Sequence, residues 1–144
     1  MRCGIELEVV WWDQHLIELS VRCSNGSFSG QANIDLGHDG LSKMAEALRG
    51  FPSAAADSRS LELGTFNPDH GDGGIRMYFS CRDSVGHAAV DVKLRGDGCR
   101  NLGEVESVAL RIPVEAAGID FFLTQVQSMN TEEIGATACL HMAS

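Results

Sequence analysis

The sequence predicts an α+β domain: a curled antiparallel sheet of about seven strands with two helices packed on one side. Three observations carry this. Apolar residues alternate with polar ones through most of the chain, as in strands with one buried face. Two windows switch to the 3.6-residue period of an amphipathic helix. The chain has 144 residues and is 44% hydrophobic, enough for one domain, 1–144, with its own core.

The first strands form a meander. In IELEVV, Ile5, Leu7 and Val9 share one face and Glu6 and Glu8 the other. In LIELSVRC, Ile17, Leu19, Val21 and Cys23 point inward while Glu18, Ser20 and Arg22 point outward. Ser24, Asn25 and Gly26 then make a turn. FSGQANIDL follows, with Phe28, Ala32, Ile34 and Leu36 inward and Gln31, Asn33 and Asp35 outward.

The period changes at DGLSKMAEALRGFP. Leu41, Met44, Ala45 and Leu48 fall at i, i+3, i+4 and i+7, Asp39 is placed to cap the start, and Gly50 and Pro52 end the helix.

Strands then resume. SLELGTF puts Leu61 and Leu63 inward, and IRMYFSCRD does the same with Ile75, Met77, Phe79 and Cys81. GHAAVDVKLR buries Val90, Val92 and Leu94, and SVALRI buries Val108, Leu110 and Ile112. Their outward residues include Arg76, Arg82, Lys93, Arg95 and Arg111.

A second helix is expected to open at Pro113, with Glu115 in its first turn and a stripe of Ile119, Phe122, Val126 and Met129. The tail ATACLHMA reads as one more strand, and the sequence shows no internal repeat. Two helices cover roughly four strands, since a helix is about 10 Å wide and strands lie about 4.8 Å apart. The sheet must therefore curl, and a β-sandwich or partly open barrel is the alternative.

Composition narrows the function. The net charge of −9 opposes nucleic acid as a partner, because phosphate binding needs clustered Lys and Arg. No apolar run approaches the roughly 18 residues of a membrane span, and MRCGIELEVVWWDQ lacks the pattern of a signal peptide. Cys3, Cys23, Cys81, Cys99 and Cys139 are scattered and odd in number. They read as reduced thiols of a cytoplasmic protein.

No catalytic constellation stands out. NPDHGDGG, residues 67–74, sets Asp69, His70 and Asp72 among glycines. It fails the ligand spacing of a calcium loop and reads as a turn, with weak metal capture as the alternative. In CRDSVGH, Cys81, Asp83 and His87 look superficially like a nucleophile and its base, but Cys81 is expected in the core and the rest in a hairpin turn. No cofactor and no metal ligand set are assigned.

The outward positions are more informative. Glu6, Glu8, Glu18 and Asp35 make the early strands acidic, while Arg76, Arg82, Lys93, Arg95 and Arg111 make the later ones basic. If the first strand continues with strict alternation, Trp11 joins Val9 in the core and Trp12 joins the glutamates outside. An exposed tryptophan beside carboxylates has the composition of a protein-binding hot spot.

Four segments also resemble something known. ALRGFP, LELGTF, IRMYFSCRDSVGHAAVDVKLR and IPVEAAGIDFF together resemble a group of short uncharacterised bacterial proteins, many from actinobacteria, over about Phe28 to Met129. The order of strands, central helix, strands and late helix is similar to immunity proteins of the WapI type, which protect cells from their own contact-delivered nuclease toxins. The resemblance implies no catalytic residues, and the hairpin with both tryptophans lies outside it.

The expectation is therefore a non-enzymatic protein-binding domain, an immunity-type inhibitor that covers a basic toxin surface with Glu6, Glu8, Trp12, Glu18 and Asp35. A homo-oligomeric domain, or a metal-dependent protein using Asp69, His70, Asp72 or His87, is the alternative.

Overall fold

The computed structural model describes residues 3–67, 72–96 and 105–144. Asp69, His70 and Cys99 lie outside them. The chain order is β1 (Cys3–Trp12), β2 (Leu16–Ser24), β3 (Ser29–Gly37), α1 (Gly40–Leu48), β4 (Ser58–Gly64), β5 (Gly74–Cys81), β6 (His87–Arg95), β7 (Ser107–Glu115), α2 (Ala116–Ser128) and β8 (Thr137–His141). The α+β class and the antiparallel pairing are as the alternation predicts.

The strands are divided between two four-stranded sheets. The first has the order β3-β2-β1-β8 and the second β4-β5-β6-β7. The expected single curled sheet is thus split. The reason lies in the connections: α1 carries the chain away from β3, so β4 pairs with β5, and α2 carries it back so that β8 pairs with β1. The element string β-β-β-α-β occurs twice, as β1 to β4 and β5 to β8. Each half gives its last strand to the other half's sheet. This topological repeat has no echo in the residues.

The sheets meet at both seams. Gly73 N donates to Asn33 O at 3.3 Å on one side, and Ala143 N donates to Pro113 O at 2.8 Å on the other. Between them lies one apolar cluster with members from all ten elements, including Ile5, Leu19, Ile34, Leu48, Leu63, Phe79, Val90, Ile112, Phe122 and Leu140. Each such side chain contributes about 1.5–3 kcal/mol by leaving water. All four residues of the predicted α1 stripe are buried.

Some local readings change. Pro113 lies in β7, an edge strand, where its missing N–H leaves no ladder bond unmade; α2 starts at Ala116 with Glu115 as N-cap. Asp39 stands at the N-cap of α1 but makes no side-chain cap; its carboxylate pairs with Lys43 at 2.9 Å instead. Phe28 is exposed at the end of the β2–β3 turn. Arg95 keeps its outward parity yet is buried, with its Nη1 donating to Thr65 O and Asp72 O.

The expectation of five reduced thiols is also corrected. Cys3 and Cys139 form a disulfide between neighbouring strands, with Cα atoms 5.8 Å apart. A bulge near Gly4 brings them together. Cys23 is a buried free thiol and Cys81 a half-buried one.

The free edge of β8 is closed by a side chain. Gln125 of α2 donates from Nε2 to Cys139 O and accepts from Cys139 N, both at 3.0 Å, as a neighbouring strand would. Among the described residues, no helix is long and apolar enough to cross a membrane.

Candidate functional site

The outer face of the first sheet gathers the predicted carboxylates. Register builds it as three transverse rows across β1, β2 and β3: Glu6 beside Arg22 beside Gln31; Glu8 beside Ser20 beside Asn33; and Trp11 beside Glu18 beside Asp35. Directly paired residues in a sheet share a face, so alternation alone brings these side chains together.

The tryptophans are exchanged relative to expectation. The β1–β2 register shifts between Val9 and Trp11, which makes Val10 an extra residue. Beyond the bulge the parity inverts. Trp11 falls opposite Glu18 on the acidic face and is 47% exposed. Trp12 falls opposite the buried Ile17, on the core side at the sheet's rim, and is 37% exposed.

The face is ordered by side-chain bonds. Arg22 Nη1 donates to Glu6 at 2.7 Å and reaches Glu8 at 3.5 Å, so one guanidinium offsets part of both charges. Gln31 Nε2 donates to Ser20 Oγ and to Asn33 Oδ1, and Asn33 Nδ2 donates to Glu18 Oε2 at 2.9 Å. Glu18, held by Asn33, thus lies two rows from Arg22 and directly beside Trp11. The adjoining β1–β2 turn is fixed by Asp13, whose carboxylate accepts from the backbone N–H groups of Leu16 and His15. Those bonds, Leu16's first, hold Asp13 below the usual carboxylate range. His38 Nε2 bonds to Asp13 O at 2.6 Å and its Nδ1 to Thr131 Oγ1 at 3.1 Å, tying this turn to the α2–β8 connection.

The second sheet has a different outer face. Arg76 pairs with Glu62 at 2.6 Å and Arg111 with Asp91 at 2.7 Å, so these two cations are compensated locally, while Lys93 lies 6.0 Å from the centroid of the Phe66 ring. Arg95 is buried and contributes nothing to a basic surface.

Asp72 meets Arg95 through its backbone oxygen, while Asp69 and His70 lie outside the described residues. Among the described residues no group of three or more His, Cys, Asp and Glu could hold a metal ion. His87 Nδ1 is bonded to Asp83, and the Cys81 thiol is directed at Ala54 O, 3.7 Å away. His141 stacks on Phe121 with ring centroids 6.2 Å apart.

A scan against models of known protein families, a search of curated proteins and a search of solved structures each found no match to this chain.

Proposed function

We propose that this is a non-enzymatic protein-binding domain, an immunity-type inhibitor whose acidic outer sheet face covers a basic surface on a partner such as a toxin domain. One observation carries the reading: Trp11, Glu18 and Asp35 form one row across three strands on the sheet's outer face, with Glu6 and Glu8 on the same face. An aromatic anchor flanked by carboxylates supplies contact area, and the charges raise the encounter rate and select a basic partner. Masking a surface requires no reacting groups. The resemblance to WapI-type immunity proteins in layout and acidity points the same way.

Such an inhibitor would meet its toxin in the cytoplasm. Reducing conditions there would keep Cys3 and Cys139 open for most of the protein's life. The docking face does not depend on the bridge, since its rows are set by the β1–β2 and β2–β3 ladders.

The test is a capture experiment from native lysate, using wild type, the Glu18→Lys/Asp35→Lys double variant, and Glu62→Lys on the other sheet. A basic protein should be held by wild type and Glu62→Lys at low salt, released at high salt, and lost from the double variant. Equal retention by all three proteins would refute the docking face.

A further inference from the structure

Resting on that reading, we infer that the Trp11–Glu18 pair is an arginine-reading site: the basic partner docks through a guanidinium laid on the Trp11 indole and hydrogen-bonded to Glu18.

The molecule itself supplies the pattern. It joins an arginine to an aromatic ring and a carboxylate in two places. Arg76 has its guanidinium carbon 4.1 Å from the Phe66 ring centroid while its Nε donates to Glu62 at 2.6 Å. Arg59 lies 5.8 Å from the Phe51 centroid and bonds both oxygens of Asp57. In each case the cation rests on the ring's negative face and donates to a carboxylate, through two nitrogens for Arg59 and through Nε for Arg76.

Trp11 and Glu18 present the same two components to solvent. They are directly paired across β1 and β2, which sets their Cβ atoms about 4.5–5.5 Å apart. A guanidinium stacked on the indole is then within hydrogen-bond reach of the Glu18 carboxylate. Glu18 is held in position by Asn33 Nδ2 on Oε2. Arg22, on the same face, is engaged by Glu6 and Glu8 two rows away. Tryptophan is also the best of the aromatic rings for a cation.

Arginine rather than lysine follows from shape. The guanidinium is planar, weakly hydrated, and donates while stacked. An ammonium is a strongly hydrated point charge that gives up more water to sit on a ring.

The experiment titrates the whole protein with end-blocked octa-arginine and octa-lysine, followed by tryptophan fluorescence and calorimetry at low salt. Octa-arginine should bind about two- to fivefold more tightly, since a surface cation–π contact is worth about 0.5–1 kcal/mol. Trp11→Ala should abolish that preference, Trp11→Phe should keep part of it, and Glu18→Gln should weaken both peptides. Thermal melts establish that each variant is folded. Equal binding of the two peptides with no effect of Trp11→Ala would overturn arginine reading and leave the acidic docking face standing. No binding of either peptide would overturn both.

Discussion

Trp11 stands directly opposite Glu18 across the β1–β2 ladder, although Val9, two residues earlier, stands opposite the buried Leu19. Only the extra residue Val10 allows both. It moves everything beyond it to the other face of the sheet.

This pairing predicts a charge effect on Trp11 fluorescence that needs no partner. In a Trp12→Phe background at low salt, Glu18→Gln should raise quenching by iodide and lower quenching by caesium. A carboxylate nearby repels the anion and concentrates the cation. In a Trp11→Phe background the same substitution should change the two quenchers much less. Identical responses in both backgrounds would place Trp11 away from Glu18.

The Cys3–Cys139 bridge closes a loop with a sequence separation of 136 residues and ties β1 to the edge strand β8. Cross-links of this kind stabilise mainly by restricting the unfolded chain, typically by about 2–4 kcal/mol. Cys3→Ser should therefore lower the melting temperature of oxidised protein by roughly 4–16 °C, at about 2–4 °C per kcal/mol for this size. Under dithiothreitol, wild type and variant should melt together. A gap that survives reduction would assign the loss to packing at position 3.

Much of the fold is legible because period two and period 3.6 report which face of an element is buried. Leu41, Met44, Ala45 and Leu48 are all buried, and so are Ile75, Met77, Phe79, Val90, Val92 and Leu94. The same alternation places Glu6, Glu8, Glu18 and Asp35 on one face. Periodicity does not name a strand's neighbour, so the division into two sheets was not readable: nothing local tells β4 to pair with β5 or β8 with β1. Spacing arguments also see only near pairs of cysteines, and Cys3 meets Cys139 through sheet topology. Arg95 has the parity of the exposed Lys93, and its backbone partners Thr65 and Asp72 lie 30 and 23 residues earlier in the chain, beyond the reach of local periodicity. The bulge at Val10 carries no glycine or proline to announce it, which is why strict alternation chose Trp12 over Trp11.

The β5–β6 hairpin should carry a pH-dependent part of the stability. Asp83 accepts from the backbone N–H groups of Val85 and His87 and pairs with His87 Nδ1. The side-chain bond between them is the largest cause of both shifts: His87 is raised above its ordinary 6.5 and Asp83 lowered below its ordinary 3.8. Glu115 raises His87 further and Arg82 opposes it. A raised histidine contributes fully below its unfolded value and loses that contribution as pH rises through its folded value. A lowered carboxylate contributes above its unfolded value and loses that contribution as pH falls through its folded value. The pair is therefore fully effective between about pH 4 and 6.5. His87→Asn should cost most melting temperature in that window and approach wild type at about pH 9. A gap independent of pH would mean the ion pair adds nothing beyond hairpin geometry.

Gly64 and Gly50 separate two reasons for needing glycine. Both have left-handed backbone, with φ of +76° and +77°. A Cβ on Gly50 would meet nothing within 4 Å, so Gly50→Ala should cost about 1–2 kcal/mol, the conformational term alone. A Cβ on Gly64 would lie 2.3 Å from Gly73 O and 2.6 Å from Ile34 Cγ2. Backbone cannot yield as a flexible side chain does, so Gly64→Ala should cost a further 1–3 kcal/mol, roughly the penalty of overpacking. Urea denaturation of the two variants measures the difference. The larger loss should also reach the docking face. Gly73, which Gly64→Ala pushes away, donates to Asn33 O at the seam, and the Asn33 side chain holds Glu18. At temperatures where both variants remain folded, Gly64→Ala should therefore weaken octa-arginine binding and Gly50→Ala should not. Equal binding by the two would show that Glu18 is held independently of the seam.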